Sequence, residues 1–112
     1  MSSNFVAYNV ALDLVRALRP IVERLKSQSR DLADQIERAG TSLVLNLAEG
    51  ARRAGKDQRR FYVIAHGSAS EVRAAFDVAA AWGWAVDAER ARALLDRELG
   101  LLWGLTHDRR AA

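Results

Sequence analysis

The chain has 112 residues, half of them apolar, with one proline, no cysteine and a formal charge of +3. That length supports one domain with a real core but not two, and the missing cysteines exclude disulfides and thiolate metal sites. No stretch approaches the roughly 20 uninterrupted apolar residues of a membrane span, and the N-terminus does not read as a signal peptide.

Alanine and leucine dominate the apolar half, which points to an all-helical domain, and the absence of cysteine fits a reducing cytoplasm. The first helix is expected over residues 5–26, with Asn4 or Ser3 as N-cap. Tyr8, Ala11, Leu12, Val15, Leu18, Val22 and Leu25 form its apolar stripe. Pro20 removes one backbone donor and clashes with the carbonyl of Arg16, so it predicts a kink; the rhythm resumes at Ile21 and Val22, which argues against a stop. Lys26 to Ser29 make a turn, where Ser27 or Ser29 can cap the next helix.

The second helix, 30–53, carries two stripes side by side. Leu32, Ile36, Ala39, Leu43, Leu47 and Gly50 fall within roughly 80° and form a core stripe. Gln35, Arg38, Ser42, Asn46 and Glu49 fall in an adjacent sector of roughly 80°. Two amides, a guanidinium, a hydroxyl and a carboxylate aligned beside a core make either a hydrogen-bonded seam between helices or a pocket for a small polar molecule or a nucleotide. Val44, Leu45 and Ala48 point away from both stripes and offer a second apolar surface.

The next turn centres on Gly55, which suits a left-handed cap. Around it, Arg52 to Arg60 hold five basic residues and one acidic one, the densest charge run in the chain. Basic groups at the end of the second helix complement its dipole, but Lys56, Arg59 and Arg60 approach the positive start of the third helix. That placement points to a visiting anion, so Arg52, Arg53, Lys56, Arg59 and Arg60 are the candidate phosphate contacts. Phe61 and Tyr62 adjoin the run without interrupting it, so contacts to the nucleic-acid backbone fit better than base readout.

The third helix, 57–82, presents Phe61, Ile64, Ala65, Ser68, Val72, Ala75, Phe76, Ala79 and Trp82 as its core stripe. Val63, Gly67, Ala74, Val78 and Ala81 form a second face of small residues that allows close helix packing. Gly83 to Val86 close it. Asp87 caps the fourth helix, 88–107, whose stripe is Ala91, Leu94, Leu95, Leu102 and Leu105. Glu98 lies within that stripe, where an unpaired carboxylate is costly; Arg38 is its expected partner, with Arg53 as the second choice. Residues 107–112 read as a polar, frayed tail. Four helices joined by short turns make an up-down-up-down antiparallel bundle.

The polar seam then reads as a network in which Arg38, Ser42, Asn46, Ser68, Glu71 and Glu98 bond across the last three helices, fixing register in a greasy core. Val44, Leu45, Ala48, Val63 and Val78 are the expected oligomer interface. His66 and His107 lie on different helices, with no nucleophile, carboxylate pair or metal-ligand spacing beside them, so neither enzymatic activity nor a metal or other cofactor is expected.

Gln35, Arg38-Ala39, Ser42, Asn46 to Gly50 and Arg53, followed by Phe61, Ala65 to Ser68 and Glu71, form a pattern. It resembles the four-helix-bundle proteins encoded in intervening sequences of bacterial 23S ribosomal RNA genes. That family is similar in turn to the accessory variability proteins of diversity-generating retroelements. The resemblance extends from Tyr8 to about Leu105. It departs where Leu47 and Val72 replace the commoner isoleucine and leucine, and where proline stands at Pro20 rather than in the first turn. It implies a ring-shaped homo-oligomer, commonly a pentamer, without enzymatic activity. For the retroelement relatives it implies nucleic-acid binding and partnership with a reverse transcriptase. The expected function is therefore RNA or DNA binding through the basic turn; the alternative is a protein-interaction module using the apolar faces of the second and third helices.

Overall fold

Apolar residues at three- and four-residue spacing give four helices in the computed structural model, which describes residues 3–84 and 86–107. They are α1 (Ser3–Leu25), α2 (Arg30–Ala51), α3 (Gly55–Trp82) and α4 (Glu89–Thr106). Each helix packs on its neighbours in sequence, and α1 closes the ring against α4. The result is an antiparallel bundle of 44 × 21 × 21 Å. Its long axis is set by α3, whose 28 residues rise about 42 Å.

The helix ends are set by local chemistry. Ser29 accepts a hydrogen bond from the Leu32 N–H at 3.1 Å and starts α2, with Asp31 in the first turn. Asp87 accepts from the Glu89 N–H at 3.4 Å, one residue ahead of the N-cap position at Ala88. The caps expected at the start of α1 are different: Ser3 and Asn4 are already helical, and Asn4 Nδ2 donates across the bundle to the Tyr62 hydroxyl at 3.1 Å. Residues 1–2, Ala85 and the tail 108–112 lie outside the described residues. α1 continues through Pro20, which is exposed.

The core is almost entirely hydrocarbon, with Leu14, Leu25, Ile36, Leu43, Leu47, Leu95 and Leu102 among its fully enclosed side chains. The α2 stripe lies where its periodicity places it, with Leu32 only partly buried. On α1 the buried face is rotated roughly 60° from the expected stripe. Ala7, Val10, Leu14 and Ile21 join the core, while Tyr8, Leu12 and Val15 sit at its edge. On α3 the face turns towards Tyr62 and Ala69, leaving Ile64 and Trp82 outside, the latter 71% exposed. Leu99 joins the α4 core and Leu94 and Leu105 flank it. Both α1 and α3 are apolar over a sector wider than a core stripe, so packing against the neighbouring helices decides which part is buried.

Gly50 lets α3 approach α2. A Cβ there would lie 2.6 Å from Tyr62 Cε1 and 3.2 Å from Phe61 Cβ. The Tyr62 ring, 3% exposed, therefore lies directly against the α2 backbone.

Candidate nucleic-acid interface

The basic run occupies one end of the bundle, where α2 turns into α3. α2 ends at Ala51; the N–H groups of Arg52 and Arg53 bond the carbonyls of Glu49 and Gly50 at 3.1 and 3.0 Å. Gly55, at φ 61°, is left-handed as expected, but it opens α3 rather than closing α2. Gln58 pins the turn by donating from Nε2 to the carbonyls of Gly50 and Arg53, at 3.0 and 2.8 Å. That role is absent from the sequence reading, because a glutamine between two basic residues carries no local signal of which carbonyls lie within reach.

Two carboxylates thread the cations together. Arg53 bonds Glu49 at 2.7 Å and Asp57 at 2.8 Å, Arg52 bonds Glu49 at 3.1 Å, and Arg60 approaches Asp57 at 3.6 Å. The hydrogen bond from Arg53, helped by the charges of Arg52 and Arg53, holds the Glu49 carboxyl below its usual range. The bonds that Arg53 donates to Glu49 and Asp57 in turn raise it above its ordinary value. Arg59 turns away from this cluster: its Nε donates to the Thr106 carbonyl at 2.9 Å, in the last turn of α4. A cation at that negative helix end is favourable, so Arg59 needs no visiting anion. Asp57, in the first turn of α3, offsets the remaining basic charge there.

Five cations against two carboxylates still leave the end strongly positive. Arg52, Lys56 and Arg60 are exposed, with the Arg52 side chain 76% accessible. The α3 N-cap, Ala54, supplies no side-chain acceptor for the first-turn N–H groups. The adjoining aromatics are engaged: the Phe61 ring lies under the guanidiniums of Arg60 and Arg53, at 4.5 and 5.2 Å from its centroid, and Tyr62 is buried. The surface can therefore pair with phosphates, while the two rings that adjoin the basic run are already engaged.

The polar seam is narrower than its periodicity implies. Ser68 Oγ lies 2.9 Å from Ser42 Oγ, and Asn46 Nδ2 donates to the Ser42 carbonyl and hydroxyl at 2.9 and 3.1 Å. The Ser42–Ser68 bond ties α2 to α3, and Asn46 supports Ser42 from within α2. Gln35, Arg38 and Glu71 are exposed and outside this triad, and Glu49 belongs to the basic end. The expected Arg38–Glu98 pair is absent: Arg38 faces solvent, Arg53 is held by Glu49 and Asp57, and Glu98 is fully buried without a partner. Helical spacing aligned these groups on their own helices but carried no information about which faces meet.

Of the expected interface residues, Leu45, Val63 and Val78 are exposed, at 62, 45 and 42%. Val44 instead packs against the core edge and Ala48 is half-buried. His66 is half-buried on α3, and His107 stacks on Trp103 beyond the end of α4. Among the described residues no helix is long and apolar enough to cross a membrane.

The family model for the 23S rRNA-intervening sequence protein matches residues 3–98, most of this bundle. The chain belongs to that family. No curated protein matches it. The matched span contains the whole Ser42–Asn46–Ser68 triad and the whole basic end. The last turns of α4, which receive Arg59, lie beyond it.

Proposed function

We propose that this chain is a non-enzymatic, self-associating protein of the cytoplasm that binds RNA or DNA by phosphate contacts at the α2–α3 end. The observation that carries this reading is the surplus of exposed cations around an uncapped helix start, with the adjacent aromatics already engaged. Arg52, Lys56 and Arg60 make the principal contacts; Arg53 organises the turn and Arg59 fastens α4. A ring of subunits, the pentamer that the family resemblance implies, would repeat this end and sum weak contacts through multivalency. No cofactor takes part.

Titration of fluorescent RNA and DNA at 50 and 200 mM salt tests it. Binding at the lower salt should weaken as salt rises, and Arg52→Gln/Lys56→Gln/Arg60→Gln should flatten the log–log salt slope by about 2–3. No binding at low salt, or a triple variant indistinguishable from wild type, sinks the proposal. A second reading takes another protein, a reverse transcriptase included, as the partner; the exposure of Leu45, Val63 and Val78 favours it. It predicts that Leu45→Glu abolishes capture of that protein while leaving nucleic-acid affinity intact.

A further inference from the structure

Glu98 stands near the middle of α4 with none of its surface exposed, and neither Oε1 nor Oε2 has a hydrogen-bond partner. The other buried polar residue described, Thr106, is satisfied by the Trp103 carbonyl at 3.1 Å. Glu98 is thus an isolated acid in a hydrocarbon core. The buried faces of α1, α2 and α3 carry one titratable group, the Tyr62 phenol, which is bonded by Asn4.

Charged groups border this core only at its rim. On α3, Arg59, His66 and Arg73 recur every seven residues on the edge towards α4, joined by Asp77. Of these, Arg59 is committed to the Thr106 carbonyl, and Asp77 lies 3.6 Å from Arg92. On α1, Asp13 pairs with the exposed Arg16 at 2.9 Å. On α4 itself Arg97 is exposed, and its charge opposes the effect of burial on Glu98 without bonding it. A carboxylate inside would have neither donor nor close counter-charge, so the closed bundle holds the acid neutral. Burial pushes its pKa up to about 8.

The polar ties between α4 and α3 lie towards the two ends of the helix, Arg92–Asp77 at one and Arg59–Thr106 at the other. Between them α4 is held by apolar packing around Glu98. We propose that Glu98 is a proton-operated latch: the bundle closes on the neutral acid, and loss of its proton drives the middle of α4 out of the core.

The direction follows from linkage. In the opened chain the carboxyl ionises near 4.5, whereas in the closed bundle it keeps its proton to about 8. Closure is therefore strongest below the ordinary carboxylate range, loses about tenfold per pH unit above it, and levels off once the closed form also ionises. Across that window the opening equilibrium rises by about three orders of magnitude.

Opening free energies of α4 and α2 amides, from hydrogen exchange on the full chain between pH 5 and 8.5, test the latch. The same series on Glu98→Gln and Glu98→Leu removes the ionisation while varying the polarity of the site. The expected result is α4 protection that falls with pH in wild type and stays level in both variants. Wild type and variants running parallel would overturn it, as would α2 opening in step with α4. Should neither variant fold, the ¹³C resonance of the Glu98 carboxyl decides in wild type. A carboxyl still protonated at pH 7 upholds the latch, and one that titrates in the ordinary carboxylate range removes it.

Discussion

Gly50 and Tyr62 show how one residue fixes the approach of two helices. The 2.6 Å clash that a Cβ would make is with a ring that cannot swing aside, because Tyr62 is enclosed and its hydroxyl is held by Asn4. Gly50→Ala should therefore destabilise the chain by about 1–2 kcal/mol in urea unfolding, overpacking outweighing the gain in helix propensity. Gly100→Ala is its counterpart on the open side of α4, where a Cβ meets nothing within 4 Å. There propensity acts alone, and the same measurement should show a gain of about 0.5–1 kcal/mol. In sequence these two positions are alike, each a glycine within a helix; only their surroundings give the substitutions opposite signs. The five cations behave likewise. They are equivalent in sequence, yet Arg59 caps a distant helix end while Lys56 faces solvent.

At the scale of elements, legibility followed the strength of the local signal. Ser29 was one of two candidate caps, and it makes the bond to Leu32 that starts α2. Ser29→Ala should cost about 1 kcal/mol by thermal unfolding, whereas Ser27→Ala, whose hydroxyl bonds the Arg24 carbonyl on the surface, should be nearly neutral. The α2 stripe was readable because polar residues bound it closely on one side. On α1, apolar side chains from Ala7 to Leu25 cover most of the circumference, so spacing alone admits several faces and burial selects Leu14 over Leu12. The seam is narrower for a related reason. Ser42 and Ser68 are short enough to bond across close backbones, with Asn46 joining from within α2, whereas the longer Gln35, Arg38 and Glu71 find better hydration outside.

For the whole molecule, an outer stripe on α3 runs the length of the bundle, with Val63, Gly67, Ala74, Val78 and Ala81 all exposed. Small residues on a straight face suit close packing against another helix, which is the geometry self-association needs. Light scattering should give a mass several times that of one chain, and Val63→Glu should reduce it to a single chain without loss of helicity. A wild-type monomer, or an oligomer indifferent to Val63→Glu, would remove this surface from the account. Assembly and nucleic-acid binding are linked in the proposal, because a monomer presents one basic end where a ring presents several. The Val63→Glu monomer should accordingly bind RNA more weakly while keeping the same salt slope per subunit.

Composition and periodicity by themselves determined that this chain is all-helical, with four helices and short turns, and concentrated its positive charge at one turn. These are local properties, written in neighbouring residues and their 3.6-residue repeat. The polar spacing from Gln35 to Glu71 was enough to mark the family that the match over residues 3–98 shows. What only the tertiary structure decided is which faces meet. It sent Arg59 to α4, joined Ser42 to Ser68, kept Val44 against the core edge and left Glu98 without the arginine expected to neutralise it. A helix specifies the angles between its own side chains. Its rotation against three neighbours is set by the packing of all four together, which no single stretch contains.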